Sequence, residues 1–319
     1  MGLGAKVFGI LFLIFALGTA LYFSRSGVFT REPSSATSAP DGSTTTDPYA
    51  GYYWQSVSGP GYLTWEEWVK SQGSGSSVGD GGSVVTPVID PRDVPQGFRV
   101  DQISPYWRKV RISSVRSASG DFYGEIRVTS WLQSDETVNV TGWWISSNKK
   151  GKSVIPRAVG VYSPYGTSPE LDIVLKGVQS VFLYSPPNTV GPDLRLNKCV
   201  GYLENALDFT PPLPAQCPHE VSRDKISHLT GACQDYLLSL GVCGEADPNA
   251  PGLLNDDACQ EYFRDLNYRG CFDNHRFEED FLGDEWWVWL GVGFPNLDAR
   301  HDRVFLFDNR GLLVDEYVY

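Results

Sequence analysis

From residue 98 the chain alternates apolar and polar positions. Val110 and Ile112 are separated by Arg111 and followed by Ser113. Ile126 and Val128 flank Arg127, Val138 and Val140 flank Asn139, and Val181 and Leu183 flank Phe182. Period two puts one face of each run inside, and Ser, Gly, Asp and Pro between the runs supply turns. Several such runs at short spacing predict antiparallel strands in a β-sandwich or barrel. Trp143 and Trp144 are consecutive on one run and point to opposite faces, so one of them belongs to the core.

The period then changes. Ile226, Leu229, Cys233, Tyr236, Leu237 and Leu240 recur at steps of three and four, which predicts a helix ending at Gly241. Asp256, Asp257, Cys259, Tyr262, Phe263 and Leu266 predict a second, shorter helix closed by Gly270, with acids at its start to suit the helix dipole. A third helical turn is expected from Asn274 through Phe281. Strand character returns in Trp286–Leu290, Arg303–Phe307 and Leu312–Tyr319. The turn Asp308–Gly311 joins the last two, with Gly311 where positive φ is needed. The expected domain is therefore mainly β over 98–319, interrupted by a helical insertion over 199–285.

Upstream, Val7–Phe23 is a run of 17 uncharged, mostly apolar residues. At ~1.5 Å per residue it just crosses a hydrocarbon layer of about 30 Å. Gly18-Thr19-Ala20 has the small residues of a signal-peptide cleavage site, but the apolar run continues beyond it, which favours an uncleaved single-pass anchor over 1–29. Residues 30–97 are rich in Ser, Thr, Gly and Pro and read as a disordered tether. Within it, Thr64–Lys70 reads as a short capped helical turn, a candidate linear interaction motif or docking fragment.

Charge and cysteines narrow the setting. The chain carries 26 basic and 38 acidic residues, net −12. Gly244–Glu285 alone holds twelve acidic residues and three arginines. Such a surface repels phosphate backbones and argues against nucleic acid as a partner. All six cysteines, Cys199, Cys217, Cys233, Cys243, Cys259 and Cys271, fall within 73 residues. An even, clustered count predicts three disulfides and an exported domain. The competing metal reading has His219 and His275 near cysteines, but it lacks the Cys-x₂-Cys pairs of a zinc site. The acids would offer oxygen ligands to Ca²⁺, yet the EF-hand spacing is absent, and no cofactor is expected. Placing the cysteines in an oxidising compartment orients the C-terminal domain outside the membrane.

The chain has 10 Trp, 16 Tyr and 16 Phe, which suit a β-sandwich core or a stacking platform for sugars or peptides. Three of the four histidines lie in the insertion and no Gly-x-Ser-x-Gly elbow occurs, so no nucleophile–base pair can be read out. Glu278, Glu279 and Asp280 are carboxylates by type alone; adjacent acids on a short helix form a solvated face.

Three stretches carry a family resemblance. Val138-Asn-Val-Thr-Gly-Trp-Trp-Ile145 resembles the strand of the lamin-tail domain that ends in a Gly-Trp pair. Val304-Phe-Leu-Phe-Asp-Asn-Arg-Gly-Leu-Leu-Val-Asp-Glu-Tyr317 resembles that family's closing hairpin. Arg195–Glu204 is similar to a stretch of bacterial membrane-anchored proteins that carry a lamin-tail-like domain with a cysteine-rich insertion. The resemblance covers 98–319 and implies an immunoglobulin-like β-sandwich without catalytic residues of its own. The expected function is a non-catalytic binding or adhesion module on the cell surface. A surface hydrolase, a hydrolase-associated subunit and a carbohydrate-binding module are the alternatives. Its partner would be an extracellular protein or glycan. The candidate binding surface is on the insertion: Tyr262, Phe263, Tyr268 and Phe272 as apolar anchors beside Glu278, Glu279 and Asp280.

Overall fold

The computed structural model describes residues 89–319 except 121, 150, 167 and 189. The expected anchor at Val7–Phe23, most of the tether and the turn at Thr64–Lys70 lie outside the described residues. Among the described residues no helix is long and apolar enough to cross a membrane.

The described chain is mainly β, with thirteen strands and four short α-helices. Seven strands form one sheet in the order β1 (Val110–Arg116), β2 (Glu125–Ser130), β9 (Ser180–Tyr184), β11 (Leu282–Trp289), β10 (Leu194–Asn197), β6 (Ala158–Val159) and β7 (Glu170–Leu171). Four form a second sheet, ordered β13 (Leu313–Val318), β12 (Arg303–Phe307), β4 (Trp144–Ser146) and β5 (Ser153–Val154). A two-stranded ribbon pairs β3 (Thr137–Asn139) with β8 (Val174–Lys176). The uniformly antiparallel expectation is corrected here, because β9/β11 and β6/β10 run parallel.

The alternating residues fill one apolar cluster shared by the two large sheets. Val110, Ile112, Ile126, Val128, Val181 and Leu183 meet Ile145, Val304, Leu306 and Val314. The sheets are also clasped at one end. Ser104 N donates to Leu313 O at 2.8 Å, and Ile112 N donates to the Asp315 carboxylate at 2.8 Å. The closing hairpin forms as expected, with Gly311 at φ +81°. Asp308, buried in its turn, accepts from the backbone of Arg310 and Leu312 and from the Ser104 hydroxyl.

The central strands are buried on both faces. On β11, Trp286 and Val288 enter the shared core, while Trp287 and Trp289 enter a second cluster on the opposite side. On β9, Tyr184 lies in that second cluster and Phe182 packs against it. That side is covered by the cysteine-rich excursion, which leaves the sheet after β10 and returns at β11. Lys198 N donates to Phe281 O at 2.9 Å and closes its base.

The excursion has two tiers. Helix α1 (Val200–Ala206) and helix α4 (Tyr268–His275) lie in the cluster on the sheet. Helix α2 (Gly231–Ser239) and helix α3 (Asp257–Phe263) enclose a small core of their own with Ile226, Leu229, Leu237, Leu253 and Phe263. Two helical expectations need correction. Helix α2 starts five residues later than the apolar period implies, because Thr230 caps it through Cys233 N. Gly270 does not end α3. It lies inside α4, where a Cβ would come within 2.5 Å of Asp265 Cα.

All six cysteines are paired: Cys199–Cys271, Cys217–Cys243 and Cys233–Cys259. The first ties α1 to α4, the third ties α2 to α3, and the second ties the segment after α1 to the turn after α2. The sequence separations are 72, 26 and 26. In the chain-entropy account such loops contribute ~3–4 kcal/mol each by restricting the unfolded chain.

Three outcomes are expected. Thiol labelling of the denatured, unreduced protein finds no free cysteine; six reactive thiols or bound stoichiometric zinc would contradict the pairing. Trp143 is 1% exposed within the shared core, whereas Trp144 is half-buried and stacks on Phe307 at 4.1 Å. Trp143→Ala should therefore cost ~3–5 kcal/mol and Trp144→Ala clearly less, read as urea midpoints. Burial pushes the Asp315 carboxyl up to about 6, against the opposing pull of N–H donors from Ile112 and Glu316 and of nearby Arg111 and Arg108. A folded pKa above the unfolded one makes its contribution full below pH ~4 and lost as pH rises through about 6. Asp315→Asn, which keeps the acceptor, should flatten the pH dependence of stability across that window and gain on the order of 2–3 kcal/mol near neutrality.

Candidate functional site

The excursion concentrates the acidic charge of the domain on a rigid mount. Residues 199–285 carry seventeen acidic and five basic side chains. Short helices of this kind cannot stand alone, so their inward stripes must be apolar and their caps satisfied. Asp256 caps α3 by accepting from Cys259 N at 3.1 Å and from the Thr230 hydroxyl at 2.6 Å. Asn267 caps α4 through Gly270 N at 2.9 Å.

This requirement decides the fate of the expected aromatic anchors. Phe263 is buried in the upper tier, 5.3 Å from the Tyr236 ring. Tyr268 is buried against the sheet, where its hydroxyl donates to Tyr162 O at 2.8 Å and accepts from Asn197 Nδ2 at 3.0 Å. Burial holds the Tyr268 phenol well above its usual pKa. Phe272 is buried beside Phe281, with ring centroids 5.7 Å apart. These three residues are core, not a contact surface. Tyr262 is half-buried and its hydroxyl bonds Glu220 O. The two short helices have no other apolar stripe, which is why the rings turn inward.

The expected acids fare differently. Glu278, Glu279 and Asp280 are exposed. Glu278 and Asp280 converge on Lys198 Nζ at 2.6 Å each. Glu278 also meets His275 Nδ1 at 2.9 Å, and His275 Nε2 faces Glu220 at 3.4 Å. Lys198 and His275 hold the Glu278 carboxyl below its ordinary range. The chain of charges joins the end of β10 to α4 and to the segment preceding α2. It is a strap across the base of the excursion, of modest strength because its members are mostly exposed.

Cys233, Asp256 and Cys259 place three potential metal donors within 4.8 Å of one another. Both sulfurs are engaged in the Cys233–Cys259 disulfide and the carboxylate caps α3, so the group does not offer a ligand set.

A concave feature that the sequence reading missed lies beside Cys217–Cys243. A cavity of about 160 Å³ is lined by Tyr202, His219, Glu220, Leu238, Val242 and the disulfide itself. Leu238 and Val242 are 38% and 68% exposed. Cys243, at φ +58°, is one of two described non-glycine residues with positive φ. That conformation costs an L-residue free energy and is held here by the disulfide and by Asn205, which donates to Cys243 O. The sequence signal was Gly241-Val-Cys-Gly244, an apolar residue displayed in a glycine-flanked turn where solvent-seeking residues are the norm. Chemically the site offers apolar contact next to carboxylates. Glu245, close by in sequence, has its carboxyl raised by partial burial.

No family model, no curated protein and no solved structure matches this chain.

Proposed function

We propose that this protein is a non-catalytic, extracytoplasmic binding module whose recognition surface is the cystine-braced excursion. The observation that carries the reading is the cavity at Cys217–Cys243, with Leu238 and Val242 exposed at its edge on the acidic excursion. Exposed apolar side chains on a rigid, cross-linked mount are how a partner gains affinity without ordering a loop. The surrounding carboxylates steer a partner with a basic face, more strongly at low ionic strength. Three disulfides fit an oxidising compartment outside the cytoplasm. In this reading the apolar run Val7–Phe23 anchors the chain to a membrane and residues 30–97 tether the domain to it. The framework is read as a lamin-tail-like, immunoglobulin-like sandwich, a reading supported by the shared core and by the closing hairpin at Gly311. The two parallel pairings depart from that pattern.

Removing the whole excursion is a poor test, because it would expose Trp287 and Trp289 and break the ties between α1 and α4. The better variant is Leu238→Ser with Val242→Ser, both exposed in the parent. Binding of the labelled protein to whole cells or envelope fractions should fall about tenfold, with an unchanged melting curve. Undiminished binding by the folded double variant would move the recognition surface elsewhere.

A further inference from the structure

The side of the seven-stranded sheet that carries the excursion is only partly covered. The excursion lies over β9, β11 and β10, while β1 and β2 extend beyond it with a different chemistry. On these two strands Arg111, Arg116 and Arg127 stand against one acid, Glu125. On this face Arg111 pairs across to Thr129, and Arg127 pairs across to Phe182. Arg111 lies 5.6 Å from the Trp131 ring centroid, and Arg127 lies 4.8 Å from that of Phe182. Beneath them the Thr129 and Ser180 hydroxyls are buried and bond each other at 3.0 Å, with Ser113 on Thr129 at 2.9 Å. Trp131 is 46% exposed.

The two arginines differ from most cations of the domain. Arg116 is tied to Glu125, Lys109 to Glu136 and Arg303 to Glu316. Among the described residues neither Arg111 nor Arg127 makes an ion pair. Each uses only its Nε, Arg111 on Arg108 O at 2.8 Å and Arg127 on Ser180 Oγ at 3.2 Å. Among the described residues their terminal nitrogens make no hydrogen bond, although the Arg111 charge lies near Asp315. Basic residues on an edge strand such as β1 also discourage pairing with another sheet. That role asks nothing of Arg127 on β2 or of an exposed tryptophan.

We propose that this face of β1–β2 is a binding site for a carboxylate-bearing polysaccharide, a uronate polymer. A guanidinium presents forked N–H donors that match a carboxylate, and a ring beneath it fixes the fork. The exposed Trp131 ring gives a flat apolar face for a sugar ring. Arg111 and Arg127 sit diagonally on adjacent strands and bring two guanidinium groups to one face. Duplex nucleic acid carries one charge per ~1.7 Å and would be repelled by the neighbouring acidic excursion. A uronate chain is far less densely charged and is screened from that excursion within about 10 Å at moderate salt. The site is separate from the cavity at Cys217–Cys243, so the two readings stand or fall independently.

The test is affinity electrophoresis of the full-length chain in gels containing polygalacturonate, neutral dextran or polyglutamate. Retardation is expected in polygalacturonate alone. Arg111→Gln with Arg127→Gln should weaken it about tenfold or more, and Trp131→Ala severalfold, with Leu238→Ser/Val242→Ser unchanged. Arg111→Lys with Arg127→Lys keeps the charge and loses the fork; it should bind more weakly than the parent, and thermal melting confirms that each variant is folded. No retardation of the parent, retardation equal in polyglutamate, or full retardation of the folded Gln double variant would each overturn the proposal.

Discussion

The C-terminal half of strand β11, Trp286–Trp289, has no face left for water, and the remaining architecture follows from that. Its sequence Trp286-Trp-Val-Trp289 must bury apolar area on both sides at once. Trp286 and Val288 are covered by the second sheet, and Trp287 and Trp289 by the excursion. A fully buried aromatic side chain contributes roughly 2–3 kcal/mol by area alone, so neither cover is dispensable. The same strand fixes topology. It receives β9 in parallel on one edge and β10 antiparallel on the other, and the β10 pairing brings both ends of the excursion to one place. The cysteine-rich segment is thus the second wall of the domain, entered and left through adjacent strands.

That role explains the disulfides. The excursion must stay on the sheet, but its helices are short and its charge is strongly one-sided. Like charges in residues 199–285 repel one another, and burial within each tier is limited by size. Cross-links that restrict the unfolded chain compensate without needing more core. Cys199–Cys271 closes the tier against the sheet, and Cys233–Cys259 closes the small core above it. Rigid anchorage leaves the outer surface free to be acidic, and it lets Val242 project beside Cys217–Cys243 without the turn collapsing over it. Arg111 and Arg127 stand on β1 and β2, so the two ends of one sheet face present different chemistry to the outside.

Much of this was legible in the residues. The alternation at Val110/Ile112, Ile126/Val128 and Val181/Leu183 places each pair in the shared core, because side chains alternate across a strand whatever its neighbours. Thr230 and Asp256 sit at helix starts where their oxygens accept from backbone N–H, and Gly311 takes the positive φ of its turn, because these are local rules of backbone geometry. The acids 278–280 are exposed, as charge alone requires. The aromatic anchors were not legible. Phe263, Tyr268 and Phe272 are indistinguishable by type from surface anchors, and what buries them is the approach of a neighbouring helix or sheet.

The mainly β character, the strand faces, the oxidised state of the cysteines and the sign of each region's charge can be read from the residues alone. These are properties of period, residue type and composition, which act over a few neighbouring residues. The folded chain alone shows which cysteines pair, that β9 and β11 run parallel, that Gly270 is a point of close approach rather than a helix end, and that Arg111 and Arg127 share a face with Trp131. Each of these depends on bringing together residues far apart in the chain. No local rule sets those distances; the double-sided burial of β11 does.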